Sequence, residues 1–182
     1  MEHNIRLDKD ARKIAPVQLS ACALEIEMKK IIYLIIMMTL SSTMAFAEVQ
    51  KMYTILSGQE AKNISGQCSR TGPPDFTDIW IPDEKIIASI ESNLDKIEHL
   101  SPDLCCLANV KITNVNSYFR QYVGIVCKGR RLIYINAFLG TDPPNNWQTE
   151  PVIACDGGTS FWGAIFDPKT GKFSQLAING VA

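Results

Sequence analysis

The stretch Lys29–Ala47, KKIIYLIIMMTLSSTMAFA, most constrains what this chain can fold into. Lys29 and Lys30 make a basic start, Ile31 to Leu40 an apolar run, and Ala45-Phe46-Ala47 a small-x-small cleavage site. These are the three parts of a secretory signal peptide, which is removed and takes no part in the fold. The run is shorter than the about 20 apolar residues that a membrane helix needs, so no stable span is expected after cleavage. No cysteine directly follows Ala47, so a lipid anchor is not indicated. Met28 stands where a start codon would lie, and residues 1–27 are mixed in charge without a clear period. We therefore expect 1–27 to be an over-extended start or a long leading region. Residues 28–47 are then a signal peptide cut after Ala47, 48–80 an N-terminal arm and 81–182 the folded domain. The expected location is periplasmic or secreted.

Composition narrows the partners. The 18 Lys+Arg and 19 Asp+Glu leave a net charge of −1, which gives no electrostatic footprint for nucleic acid and no polybasic reason to bind an anionic membrane. A hydrophobic content of 46% excludes disorder as the default. Export implies an oxidising compartment, so disulfides are the default use of cysteine. Cys22 falls in the leader; Cys68, Cys105, Cys106, Cys127 and Cys155 remain, an odd number. Adjacent Cys105 and Cys106 are poorly placed to bond each other, because a vicinal bridge is strained. One or both are expected to reach Cys68 or another partner, and Cys127 and Cys155, both at expected strand ends, are candidates to pair. Connectivity stays open. No C-x-x-C and no Cys/His ligand spacing is present, so neither a metal nor a cofactor is expected.

Pro82-Asp83-Glu84 opens a helix, with proline in the first turn and acids at the positive end of the dipole. Ile86, Ile87, Ile90, Leu94 and Ile97 then form one apolar stripe. The arm carries turn formers and a short helix near 58–64. After the main helix come strand-like runs: a weak one at Lys111–Val115, then Tyr118–Cys127, Leu132–Phe138, Val152–Cys155, Ser160–Asp167 and Lys172–Asn179. One helix followed by strands is an α+β plan: a main helix packed on a curved antiparallel sheet of four to five strands. This order resembles the cystatin-like layout, which hosts many functions and implies none. The inhibitory Q-x-V-x-G tip of the cystatins is not met. Gln121-Tyr122-Val123-Gly124 is one residue short and lies mid-strand.

Alternation assigns the faces. Lys128-Gly129-Arg130 as a three-residue loop pairs Cys127 with Arg131, Ile125 with Ile133 and Val123 with Ile135, a consistent core face. A four-residue loop at Pro168–Gly171 places Phe161, Ile165, Leu176 and Ile178 in the same core. The face away from the helix then holds Tyr118, Arg120, Tyr122, Tyr134, Asn136, Trp162, Phe166 and Phe173, aromatic and sparsely charged. Such patches mark interaction sites. The expected contacts are Arg120, Tyr122, Tyr134, Asn136 and Trp162. Arg120 offers a fork to a carboxylate or phosphate, and the aromatics a stacking floor for sugar or peptide. The partner classes are an envelope protein, a peptide or a glycan. Two readings compete: the arm or the 140–150 loop with Trp147 covers this face as a second core, or the face is a homodimer seam.

Catalytic motifs are sparse. His99 is the one histidine after the leader, and a thiol enzyme would use it with Cys105 or Cys106. No nucleophile elbow accompanies them, and His99 also suits a helix C-terminus. Asp156-Gly157-Gly158 reads as a turn before it reads as an anion nest. Asn63-Ile64-Ser65 is a formal glycosylation sequon. The function expected is thus an exported binding module; a thiol-dependent enzyme and a structural envelope component are the alternatives. The stretch Tyr118–Gly124, Tyr134–Phe138, Cys155-Asp156-Gly157-Gly158, Phe161-Trp162-Gly163 and Phe173–Gly180 resembles a group of small exported bacterial proteins of unknown function. The resemblance implies export and a compact sheet domain, and no activity.

Overall fold

The computed structural model describes residues 28–35, 51–103 and 110–181. Residues 28–35 are helical and exposed, and no helix among the described residues is long and apolar enough to cross a membrane. Residues 1–27, the cleavage site at Ala47, Cys105 and Cys106 lie outside the described residues. The chain divides between Val49 and Gln50 into two units, and the second holds the entire sheet.

Helix α1 spans Glu84–Glu91, and the side chain of Asp83 caps it by accepting the Ile86 N–H at 2.9 Å. The expected stripe continues past its end in a 3₁₀ segment, Leu94–His99. The break falls at Ser92-Asn93, whose side chains donate to the Ser89 carbonyl at 3.2 and 2.8 Å. Side chains of this kind compete with the helical ladder and end it. The stripe is preserved across the break: Ile87, Ile90, Leu94 and Ile97 are all buried.

The sheet has six strands: β1 Tyr53–Ile55, β2 Asp78–Trp80, β3 Phe119–Cys127, β4 Arg130–Phe138, β5 Phe161–Asp167 and β6 Lys172–Ile178. Their order is β1-β3-β4-β5-β6, with β2 also paired to β3. The α+β class holds. The strand count exceeds the expected four to five, and one pair, β1 with β3, is parallel. Both extra strands come from the arm and share one edge of β3. β1 lies along Arg120–Tyr122 and β2 along Gly124–Val126. Between them runs a 3₁₀ segment, Glu60–Ser65, close to the helix expected near 58–64. Two expected strands are absent. Lys111–Val115 is irregular up to a left-handed Asn114. Residues 152–155 are a loop, whose Val152 N–H and Val152 and Ala154 carbonyls bond side chains rather than a strand.

The β3–β4 register corrects the expected faces. The turn has two residues, Lys128 and Gly129, with φ of 50° and 76°, the pattern of a hairpin turn that follows strand twist. Cys127 therefore pairs with Arg130, Val123 with Tyr134 and Tyr122 with Ile135. That is one residue away from the expected pairing, and a one-residue slip exchanges faces. Tyr122 now joins Ile133, Ile135, Trp162 and Phe166 beneath Ile87, Ile90, Leu94 and Ile97. Val123, Ile125, Leu132, Tyr134 and Ile165 lie on the opposite face with Leu56, Ala61 and Ile64 of the arm. The β5–β6 turn has the expected four residues, Pro168–Gly171. An irregularity follows in which Gln175 takes φ 52°, so Phe173, Leu176 and Ile178 all join the helix-side core.

Cys68 is bonded to Cys155 and Cys127 is free, so the expected Cys127–Cys155 pair is not formed. The bond spans 87 residues, and closing a loop of that order stabilises by about 4–5 kcal/mol in the chain-entropy view. Lys128 holds a left-handed conformation that asparagine adopts more readily. Lys128→Asn is expected to raise stability by about 0.5–1 kcal/mol, read as a higher urea midpoint with unchanged slope.

Candidate functional site

The five residues selected from the sequence are all buried and divide between the two faces. Arg120, Tyr122 and Trp162 point to the helix side; Tyr134 and Asn136 lie on the other. No exposed aromatic face joins them, because the two-residue turn reverses β4 relative to β3.

On the helix side, Glu91 is the anchor. Arg120 donates from Nε and Nη2 to its two carboxylate oxygens at 3.0 and 2.9 Å, a fork-to-fork pair. The Tyr122 hydroxyl donates to the same carboxylate. Arg120 also donates to the Tyr118 and Val115 carbonyls, tying the chain before β3 to the helix. Trp162 packs edge-on to Tyr118 at 5.6 Å between centroids. The predicted fork of Arg120 thus exists, but its carboxylate is internal.

The other face carries a polar layer that sequence reasoning did not assemble. Cross-strand neighbours Gln121 and Asn136 bond each other at 2.7 Å. Gln121 donates to the Trp147 and Glu150 carbonyls and accepts from the Val152 N–H at 2.8 Å. Asn179 donates to the Ala154 and Asp156 carbonyls at 2.6 and 3.0 Å. These amides hold the 147–156 loop over the sheet. Arg70 of the arm enters the same layer. It donates to Asn136 Oδ1, to Asn179 Oδ1 at 2.5 Å and to the Tyr134 hydroxyl at 3.4 Å. Tyr134 crosses Gly163, where a Cβ would sit 2.2 Å from its hydroxyl oxygen, so only glycine admits this packing. Phe119, Phe138 and Trp147 close the far end. The arm and loop therefore make this face a second core. Amide pairs with backbone partners carry little periodic signal, which is why the sequence hid them.

The remaining candidates are surface features. His99 is exposed at the end of its 3₁₀ segment. Gly157 and Gly158 form the expected turn, and the Gly158 N–H donates to the Gly180 carbonyl rather than to open space. No cluster of His, Cys, Asp or Glu fit to hold a metal occurs among the described residues.

Open space with chemistry around it lies at the end of the sheet where the β3–β4 and β5–β6 hairpins turn. A groove of about 670 Å³ is lined by Pro74 and Asp75 of the arm, by Cys127, Lys128, Arg130 and Leu132 and by Ile165, Asp167, Lys172 and Phe173. Its apolar lining is Leu132, Ile165 and Phe173; its rim is charged. Arg130 and Asp167 pair at 2.6 Å. Burial pushes the Asp167 carboxyl up, but the Lys169 N–H and Arg130 outweigh it and hold the carboxyl below its ordinary range. Neither Lys128 nor Lys172 has a carboxylate partner among the described residues.

Fold and site together define an α+β domain with two buried polar anchors and an open, charged groove. No family model, curated protein or solved structure matches the chain.

Burial, and the Glu91 carboxylate beside it, push the Tyr122 hydroxyl well above its ordinary value against the opposing Arg120. Burial raises the Tyr134 hydroxyl above its ordinary value too, against the opposing Arg70. Both hydroxyls bind their protons more tightly folded than unfolded. Their stabilisation is thus complete below the unfolded value of about 10 and is lost as pH climbs beyond it. Stability is expected to fall steeply above about pH 10, and Tyr122→Phe is expected to flatten that fall in urea unfolding run across alkaline pH.

Proposed function

We propose that this chain is an exported binding module that docks an acidic protein segment in the groove between the arm and the β3–β4 and β5–β6 hairpins. The observation that carries the reading is the pair Lys128 and Lys172, without carboxylate partners among the described residues, beside the apolar lining of Leu132, Ile165 and Phe173. An extended segment with alternating acidic and apolar side chains fits both: carboxylates on the lysines, apolar groups on the lining. The five residues selected from the sequence then support the groove from inside rather than touch the ligand. The cystatin-like layout belongs to this proposal as a scaffold and adds no function of its own.

Export is supported by the Cys68–Cys155 bond, since disulfides persist in oxidising compartments, and by the leader pattern at Lys29–Ala47. Protein recovered from the periplasm or medium is expected to have the intact mass of a chain that begins at Glu48. A mass retaining the leader contradicts the export reading.

A fluorescein-labelled peptide of alternating Glu and Leu tests the docking, with alternating Lys and Leu as its counterpart. The acidic peptide is expected to bind and to weaken with added salt. Its affinity is expected to fall at least about tenfold in Lys128→Asn/Lys172→Gln, the loss of roughly two exposed charge contacts. Equal binding of both peptides, or of neither, overturns the proposal. Self-association at the groove, seen by sedimentation, would assign it to a second copy instead.

A further inference from the structure

We infer that the Cys68–Cys155 disulfide is a redox-sensitive clasp that holds Arg70 inside the second face of the sheet, and that its reduction releases the segment 67–75. The inference is independent of the docking proposal. It begins with an imbalance. Arg70 is only 6% exposed, yet its partners are the neutral oxygens of Asn136, Asn179 and Tyr134. Among the described residues its three side-chain partners are thus dipoles, and no carboxylate pairs with it. A guanidinium buried without an opposite charge favours return to water.

The clasp sits beside it. Cys68 is two residues before Arg70, and both bonded cysteines are solvent-exposed, open to a dithiol reductant. Cys155 lies between Ala154 and Asp156, whose carbonyls take the two Asn179 hydrogen bonds. The bond therefore joins the arm to the loop that covers the same polar layer. The segment 67–75 has no strand or helix of its own.

Its two ends are fixed independently. Ile64 is fully buried in the second core, and the Thr77 N–H donates to the Val126 carbonyl at 2.9 Å. Release is therefore local, between Gly66 and Thr77, and uncovers the Tyr134 hydroxyl and the Asn136 and Asn179 amides. In the reaction a dithiol supplies two electrons and two protons. The S–S bond becomes two cysteine thiols, and the reductant becomes its own disulfide. Pro74 and Asp75 line the groove, so its arm-side wall shifts with the segment.

The test is trypsin cleavage after Arg70, followed by mass spectrometry of the mature protein with and without dithiothreitol, alongside hydrogen exchange of β3 and β4 amides. Reduction is expected to speed cleavage at Arg70 at least tenfold while β3 and β4 stay protected. Cys68→Ser/Cys155→Ser is expected to behave as the reduced protein does without reductant, which separates this bond from the other cysteines. Unchanged cleavage at Arg70 on reduction overturns the inference, because the segment then stays closed without its clasp. Loss of β3 and β4 protection also overturns it, because the bond then holds the whole fold rather than one segment. If the double variant does not fold, reduction of the parent protein gives the same decision.

Discussion

The register of one hairpin governs the rest of the molecule. Lys128 and Gly129 turn the chain in two residues, and this sets Val123 against Tyr134 and Tyr122 against Ile135. With that pairing, each face of β3 and β4 is both apolar and polar in the right places. The helix side gains Tyr122 and Arg120 to meet Glu91, while the other side gains Gln121 and Asn136 to meet the arm and loop. A slip of β4 by one residue would turn Asn136 toward the helix, on the face of Arg120 and Tyr122, and away from its partner Gln121. The helix, arm and loop thus all depend on the geometry of one turn.

The two buried arginines show how differently a fold can treat the same side chain. Arg120 has a bidentate carboxylate and backbone carbonyls around it, and breaking such a buried pair costs about 3–5 kcal/mol. It fastens the helix to the sheet permanently. Among the described residues Arg70 meets amide and phenol oxygens and no carboxylate, so its charge is solvated by dipoles and not cancelled. Next to it lies an exposed covalent bond of about 4–5 kcal/mol in loop entropy. The fold places a charge-paired anchor on the helix side and the covalent one beside a buried charge without an ionic partner among the described residues. A structure built this way has one fixed face and one face held by a bond that chemistry can open.

Much of the backbone was legible in the residues. Asp83, the isoleucine stripe, the Asp167–Gly171 turn and the four long strands follow from capping, period and turn chemistry. The faces did not follow. Lysine rarely signals a turn with two positive φ angles, so Lys128-Gly129 read as the start of a longer loop, and that single residue reversed β4. The bulge at Gln175 has no sequence marker either, and it moved Leu176 and Ile178 to the side of Phe173. The arm read as irregular because strands of three residues show no alternation. Asn136 and Arg120 stand out as polar residues within strands and are expected to face a partner; both are instead buried among internal partners. Their partners, Arg70 and Glu91, lie 66 and 29 residues away, a distance that no local pattern spans. The arm and loop do form a second core, but over a face that holds Val123 and Ile125 with Tyr134, not the expected one with Arg120, Tyr122 and Trp162.

Cross-strand backbone NOEs in the isotope-labelled protein test the central claim most directly. The account predicts contacts between Val123 and Tyr134 and between Gly124 and Ile133, with Cys127 facing Arg130 across a two-residue turn. Contacts from Val123 to Ile135 and from Cys127 to Arg131 would contradict it. They would restore a shared aromatic face, and the division of the buried polar residues between helix and arm would fall with the register.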